Sequence, residues 1–361
     1  MVKALIAGGG VAGPVTAMAL QHAGIDAQVY EAHLPGTGDA GSYLTVATNG
    51  LDALRAVGAD KPVLAAGFPT PTNVLLSGTG RRLGSVSNGG RLADGTVSHT
   101  VKRSRLYQAL HEEAAGRGIR IEYGRRLAGA EPTAGGVVAT FDDGTQASGD
   151  LLIGADGVHS PTRRLIDPAA PSPRYVGLVN FGGYTPGSAG SAEPGAWHMI
   201  FGRRAFFGHV ADPAGGTVWF ANVPRPPVTP AERAATTAEQ WQRQLVELFA
   251  GDAAHAPSPT SGQGASLAAE DAVVLAKCLR DLSDIPEALA TYEGLRRKRV
   301  ERIVAQAART SSAKTPGPLG RVLRDLALPL VFKLLVTDRS MAWIYDHHID
   351  WDAPLVATNS P

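Results

Sequence analysis

The sequence is poor in the residue that builds cross-linked and metal-held scaffolds. Its 361 residues include one cysteine, Cys278. A single cysteine excludes an intrachain disulfide and any zinc or iron–sulfur site made from cysteine ligands, and it fits a reducing cytoplasm. We therefore expect a cytoplasmic protein stabilised by core packing, and the length is sufficient for two layered domains.

An excess of either charge is also absent. Lys and Arg number 34 against 33 Asp and Glu, which gives a formal net charge of +1. A chain without a net positive field does not favour nucleic acid as a partner, so association would depend on local patches.

Long apolar runs are missing as well. The opening stretch MVKALIAGGGVAGPVTAMAL is broken by three consecutive glycines and Pro14, so we interpret it as part of the fold and not as an export signal. Residues 322–336 are apolar but contain charged residues and a proline, and they fall short of the roughly 20 residues that span a bilayer. We expect no membrane span, and an amphipathic helix in this segment.

Several catalytic signatures do not occur. The sequence has neither an HExxH helix nor a GxSxG elbow, which argues against a zinc protease and a serine hydrolase. His347, His348 and Asp350 form no complete ligand pattern, so we expect no metal site.

Three glycine-rich stretches are the informative features that are present. They are GGGVAG at residues 8–13, GADGVHSPTR at 154–163 and GDAAHAPSPTSGQG at 251–264. In the first, Gly8, Gly10 and Gly13 have the GxGxxG spacing between a strand and a helix, where the backbone can approach a pyrophosphate. Glu31 ends the next strand and is placed to bind an adenosine ribose. The alternative is a purely structural glycine-rich turn.

The segments between these motifs predict an α/β protein. A Rossmann-like unit is interrupted and resumed, and the glycine-rich runs between residues 175 and 223 predict a second, antiparallel β-sheet. We assign residues 1–70, 100–165 and 251–300 to an FAD-binding domain, 71–99 and 166–250 to a substrate domain, and 301–361 to a helical C-terminus.

On these motifs the chain resembles the FAD-dependent aromatic hydroxylases of the p-hydroxybenzoate hydroxylase type and their antibiotic-modifying relatives. The resemblance implies FAD bound in an extended form by two sets of residues. The first set lies before residue 200 and comprises Gly8, Gly10, Val11, Ala12, Gly13, Glu31, Arg103, Leu127 and Asp156. The second comprises Asp252, Pro259, Gly262 and Gly264. For Asp156 the alternative that its side chain only ties a turn remains open.

The resemblance further implies a monooxygenase reaction. NADPH or NADH would reduce FAD, and O2 would form a C4a-hydroperoxyflavin that hydroxylates an aromatic or polyketide-like small molecule. Strand alternation predicts that the pocket for the hydrophobic substrate is lined by Phe181, Trp197, Met199, His209, Trp219 and Asn222. For any single aromatic residue in this set the favoured alternative is core packing.

One region departs from the family pattern. The resemblance implies a β-strand leading into the third motif, yet residues 231–250 predict an amphipathic helix that runs directly into Gly251, as if an internal segment had been deleted. Two other readings therefore stay open: a degenerate flavoprotein that binds a hydrophobic molecule without turnover, and a dehydrogenase that uses only a nicotinamide cofactor.

Overall fold

The computed structural model describes residues 2–35, 43–187, 193–202, 204–250, 263–312 and 338–355. Within these ranges the strands are β1 (Lys3–Ala7), β2 (Asp26–Glu31), β3 (Tyr43–Val46), β4 (Gly67–Pro69), β5 (Thr72–Ser77), β6 (Arg82–Ser87), β7 (His99–Lys102), β8 (Ile121–Tyr123), β9 (Leu127–Thr133), β10 (Gly136–Phe141), β11 (Gln146–Gly149), β12 (Leu151–Gly154), β13 (Leu178–Pro186), β14 (Ala196–Phe201), β15 (Phe206–Asp212) and β16 (Gly216–Pro224). The helices are α1 (Ala12–His22), α2 (Thr48–Ala56), α3 (Asp60–Ala66), α4 (Arg103–Gly116), α5 (Pro161–Ile166), α6 (Pro230–Ala235), α7 (Ala238–Ala250), α8 (Gly264–Asp281), α9 (Ile285–Ser312) and α10 (Asp338–Tyr345).

A parallel sheet with the order β12-β1-β2-β8 organises the nucleotide-binding half. Parallel sheets are normally covered on both faces, which explains the almost wholly apolar sequence of β1. Ala4 and Ile6 pack into the core that includes α1, α2 and α8. Leu5 lies on the opposite face of β1. There it packs in one cluster with Tyr30 of β2 and with Phe141, which belongs to β10 of the antiparallel sheet β11-β10-β9.

The sequence FDDGTQ at residues 141–146 contains an Asp-Gly pair, which predicts a hairpin turn, and this turn joins the antiparallel strands β10 and β11. The following extended run does not continue as one strand, because it divides at Asp150 between two sheets. Asp150 donates its backbone N–H to the Lys3 carbonyl at 2.8 Å, and its carboxylate accepts from the Lys3 N–H at 2.6 Å. These bonds turn the chain from the antiparallel sheet into the parallel one.

The second sheet has six strands in the order β13-β16-β15-β14-β5-β6. Its strand pairs are antiparallel as expected, except that β14 and β5 are parallel. In the chain these two strands are separated by the elements from β6 to β13, which include most of the nucleotide-binding half, so no hairpin forces them to run in opposite directions. A third sheet has the order β3-β7-β4. In the chain, β3 and β4 precede the β5–β6 pair and β7 follows it.

The helices show where the sequence departs from the family pattern. The single helix expected before Gly251 is broken at Thr236 into α6 and α7, and α7 continues to Ala250 without an intervening strand. Among the described residues, β12 therefore lies at an edge of the parallel sheet. Residues 322–336 lie outside the described ranges. None of the helices in the described ranges is both long enough and apolar enough to cross a bilayer.

Candidate active site

A cavity of about 2400 Å³ connects the first glycine motif with the six-stranded sheet. Its wall includes Gly8 to Ala12, the ends of β2 and α4, the start of α8, and side chains from β5, β14, β15 and β16. Pockets for a single small molecule usually measure about 300–1,000 Å³, so this cavity has room for two ligands.

Two glycines of the first motif are required by the fold itself. Gly8 has a φ of +110°, and a Cβ on it would lie 2.4 Å from the Ala155 carbonyl oxygen. A Cβ on Gly13 would lie 1.9 Å from the Gly8 carbonyl oxygen. Gly13 does not border the cavity, and its absent side chain allows α1 to pack closely on the turn.

Two other glycines are not explained by the protein chain. Among the residues that the structure describes, a Cβ on Gly10 would meet only the Tyr107 hydroxyl, at 3.9 Å, and a Cβ on Gly264 would meet no atom within 4 Å. Neither residue has a positive φ, and both border the cavity next to the first turn of a helix, α1 and α8 respectively. Helix N-termini favour negative charge, so these open positions suit the phosphates and the electron-rich ring of a dinucleotide.

Glu31 ends β2 and borders the cavity. Its carboxylate accepts from the Gly9 N–H at 2.5 Å and from the His33 N–H at 2.8 Å. The acid is thereby held beside the glycine loop, and each oxygen retains acceptor capacity for a ribose hydroxyl.

Arg103 and Leu127 also border the cavity. Arg103 begins α4 and donates from Nε to the Tyr107 hydroxyl at 2.6 Å, with its guanidinium 5.2 Å from the centre of that ring. Leu127 begins β9 and is buried.

Asp156 borders the cavity but its carboxylate serves a turn. Oδ2 accepts from the Thr162 N–H at 2.9 Å and from the Thr162 hydroxyl at 2.7 Å, at the start of α5. Ser160 caps the same helix by accepting from the Arg163 N–H at 2.9 Å. This geometry agrees with the structural alternative for Asp156, and the residue's backbone position at the cavity remains compatible with a cofactor.

The third motif lies mostly outside the described residues. This applies to Asp252, Pro259 and Gly262, whereas Gly264 is the first residue of α8.

A histidine that the sequence reasoning missed supports the glycine loop. His111 lies 2.5 Å from the Gly9 carbonyl oxygen through Nε2 and 2.9 Å from the Tyr123 hydroxyl through Nδ1. A carbonyl only accepts, so Nε2 donates and Nδ1 accepts from the tyrosine. The four-residue spacing of Arg103, Tyr107 and His111 on α4 was the available signal.

At the other end of the cavity, the six-stranded sheet provides an apolar floor. Trp197 and Met199 border the cavity as expected. Trp197 donates from Nε1 to the Thr100 hydroxyl at 2.9 Å, and its ring centre lies 5.3 Å from that of Phe220. Further lining residues that were not anticipated are Asn73, Leu75, Asn180, Phe201, Phe206 and Phe220.

The prediction that Phe181, His209 and Trp219 line the pocket is wrong. The cross-strand pairs Phe201–Phe206, Gly208–Phe220 and Gly182–Phe220 put the even-numbered residues of β13, β15 and β16 on the cavity face. The three residues therefore lie on the other face, where Phe181 packs on Trp241 and His209 stacks on His198. The strand register, which alternation within one strand does not reveal, caused the error.

Asn222 lies on the cavity face of β16 by strand alternation, but it is buried and is not one of the residues that border the cavity. The prediction that it lines the pocket is also wrong. Its cross-strand partner is the buried Phe206, which does border the cavity.

The C-terminal part of the chain completes the walls at this end. Met341 and Tyr345 in α10 border the cavity together with Ile303 in α9. Burial raises the pKa of Tyr345, so its hydroxyl is neutral and able to donate a hydrogen bond. His347 and His348 contact Glu270 and Asp52, which fixes this segment to the body. In the ranges described, no three His, Cys, Asp or Glu side chains converge as a metal site.

Comparison with known proteins agrees with this geometry. The family model described as FAD binding domain matches residues 1–201 and 220–307. Aurachin C monooxygenase/isomerase of Stigmatella aurantiaca is 31% identical over 337 residues, covering 83% of this chain and 86% of the relative. The FAD-dependent urate hydroxylase of Klebsiella pneumoniae is 30% identical over 346 residues, covering 85% and 88%.

The fold is shared with a solved structure. The crystal structure of Klebsiella pneumoniae HpxO complexed with FAD and uric acid has a TM-score of 0.81 and 25% sequence identity, and the match covers 95% of this chain and 97% of that one.

Proposed function

This chain belongs to the FAD binding domain family, and we propose that it is an FAD-dependent monooxygenase. In this proposal it uses NADPH or NADH and O2 to hydroxylate an aromatic or polyketide-like small molecule. The observation that carries the proposal is the continuity of one cavity from the glycine loop of a dinucleotide site to an aromatic-lined floor.

The residues present fit FAD. Gly10 and Gly264 leave space at two helix N-termini that no atom of the described residues fills. Glu31 would hold the adenosine ribose, and Arg103 would contact the phosphate or ribityl region. Gly8, Val11, Ala12 and Gly13 would form the pyrophosphate turn, Leu127 and Asp156 would border the cofactor, and Asp252, Pro259 and Gly262 would complete the site. When bound, FAD supplies hydride acceptance from the nicotinamide and activation of O2.

The protein's own contribution is positioning and exclusion of water. Trp197, Phe206 and Phe220 give an apolar, aromatic surface that suits an aromatic substrate, and Ile303 and Met341 oppose water entry from the helical side. The named relatives act, according to their names, on aurachin C and urate. These activities favour an aromatic substrate for this chain.

We also propose the domain division stated above, because the six-stranded sheet and the parallel sheet meet at the cavity and enclose its two ends. A cytoplasmic location is proposed from the single cysteine, Cys278. This thiol is buried, and burial followed by the charge of Asp281 raises its pKa to about 11.

The test is flavin content followed by turnover. The purified chain should show a flavin spectrum, with or without added FAD, and should oxidise NADPH or NADH faster when substituted phenols or naphthols are present. Product made under labelled O2 should contain one labelled oxygen atom. A chain that takes up no FAD under any condition would refute the proposal.

A second function is favoured by one observation. Helix α7 reaches Ala250 with no strand before the third motif, as a deletion in this region would produce. A flavoprotein that sequesters a hydrophobic molecule without turnover would then bind ligands but incorporate no labelled oxygen.

A further inference from the structure

Gln263 is a polar residue at the cavity whose side chain has no role in the site described so far. It immediately precedes α8 and borders the cavity, although only 3% of its surface is exposed. Its neighbour Gly264 leaves the space in front of this helix N-terminus open.

The orientation of the Gln263 amide is fixed by a chain of buried hydrogen bonds. Asn49, which is fully buried, donates from Nδ2 to Glu270 Oε1 at 2.7 Å and to Gln263 Oε1 at 3.0 Å. An ionised carboxylate only accepts, so Asn49 must present its amino group to Glu270. The same amino group requires the oxygen of the Gln263 amide as its second acceptor.

Two arginines keep Glu270 ionised. Arg299 donates from Nε and Nη2 to the two carboxylate oxygens at 2.8 Å each, and Arg296 Nη1 lies 2.8 Å from Oε2. Burial alone would raise the pKa of Glu270, but the Arg299 hydrogen bonds, the Arg296 charge and the Asn49 hydrogen bond together lower it. The carboxylate is therefore a permanent acceptor at neutral pH.

The amino group of Gln263 is consequently the end of the amide that remains for the cavity. Within the described part of the chain no hydrogen bond uses its Nε2, while its Oε1 is held by Asn49. A donor in this position adds to the positive end of the α8 dipole.

We propose that Gln263 Nε2 donates a hydrogen bond to the isoalloxazine ring of bound FAD and favours the reduced ring, which carries negative charge. Asn49 and Glu270 are positioning residues, because they act through Gln263. The inference rests on the proposed function, since it requires FAD. The electrons of the reduction come from NADPH or NADH as a hydride.

The reduction potential of bound FAD tests this role directly. Gln263→Leu removes the donor, and Gln263→Glu replaces it with an acceptor while preserving length. Hydrogen bonds to charged groups are stronger than neutral ones, so we expect at least a tenfold loss of preference for reduced FAD in Gln263→Leu. This corresponds to a potential about 30 mV lower for a two-electron couple, with a larger fall in Gln263→Glu.

Gln21→Leu is the matched control. Gln21 lies on α1 outside the cavity wall and donates from Nε2 to the Arg117 carbonyl at 2.8 Å. The control should leave the potential and the flavin spectrum unchanged. Potentials of both Gln263 variants equal to that of Gln21→Leu would overturn the proposal. Loss of FAD from both variants with an unchanged unfolding temperature would also overturn it, because the side chain would then hold the oxidised ring.

Asn49→Leu tests the positioning role. If Asn49 acts through Gln263, the double variant should have the potential of Gln263→Leu alone, whereas additive shifts would contradict the mechanism. A wild-type chain that binds no FAD would refute the proposed function itself and is recognised before any variant is made.

Discussion

Replacing Gly10 by alanine distinguishes a glycine that a ligand requires from one that the fold requires. The added Cβ would meet only the Tyr107 hydroxyl, at 3.9 Å, and the backbone has no positive φ to be strained. The apoprotein should therefore keep its stability or gain about 0.4–1 kcal/mol from reduced freedom of the unfolded chain. The same Cβ occupies the space where a phosphate would approach the loop.

The cost should appear in FAD binding. Overpacking by one carbon typically costs about 1–3 kcal/mol, which corresponds to an increase of about 5- to 150-fold in the Kd. Titration with FAD, followed by flavin fluorescence, measures the Kd, and thermal unfolding of the apoprotein measures stability. The prediction is specific because the Kd for FAD should rise while the stability of the apoprotein stays the same or increases.

Two glycines provide matched controls. Gly129 on β9 also has open space around its Cβ position and no positive φ, but it does not border the cavity. Gly129→Ala should leave the Kd unchanged. Gly13→Ala should destabilise the apoprotein itself, because its Cβ would lie 1.9 Å from the Gly8 carbonyl oxygen. An unchanged Kd in Gly10→Ala would refute the assignment of this space to the cofactor.

Three further outcomes are expected. Burial, with a smaller effect of the His198 charge, lowers the pKa of His209 from 6.5 to about 4. The unfolded state then binds the proton more tightly, so the free energy of unfolding should fall as pH decreases from 6.5 to 4, by up to about 3 kcal/mol, and His209→Asn should flatten this dependence in denaturant titrations. Glu270→Gln should cost about 3–5 kcal/mol by denaturant titration because it removes the buried carboxylate charge that pairs with Arg299 and Arg296, although Arg296 keeps Asp271 as a second partner, whereas the exposed Glu293→Gln should change stability by less than about 1 kcal/mol. Asp156→Asn retains an acceptor oxygen for Thr162, so the FAD Kd should stay within about threefold of wild type, and a larger loss would indicate that the carboxylate charge acts on the cofactor.

The parts of the site that follow local rules could be predicted from the sequence. The strand, glycine turn and helix around Gly8 are encoded within a short segment, and the spacing of Glu31 follows from the length of α1 and β2. The Asp-Gly turn likewise predicted the β10–β11 hairpin. These features need no knowledge of the distant chain.

The parts that depend on register between distant segments could not be predicted in the same way. The face to which Trp219 points is decided by its pairing with His209 and Gly183, and its own strand pattern fits either face. The Gln263–Asn49 bond joins residues 214 positions apart. His111 was accessible in principle, because it shares a face of α4 with Arg103, but only after the helix was placed against the glycine loop.

Two parts of the cavity wall differ in charge, and this difference bears on how a dinucleotide would lie in the cavity. Lys102, Arg103 and Arg105 border the cavity around the N-terminus of α4, whereas Trp197 and Phe220 border it at the six-stranded sheet. Phosphates are stabilised by the first environment and would be left without counter-charge on the second, because burying an unpaired charge is costly. The glycine loop and the basic residues at the start of α4 would therefore hold the phosphates of FAD, and the start of α8 and the aromatic floor would hold its ring. In this orientation Trp197 and Phe220, which form a part of the wall that suits an apolar aromatic substrate, would lie beside the ring of FAD.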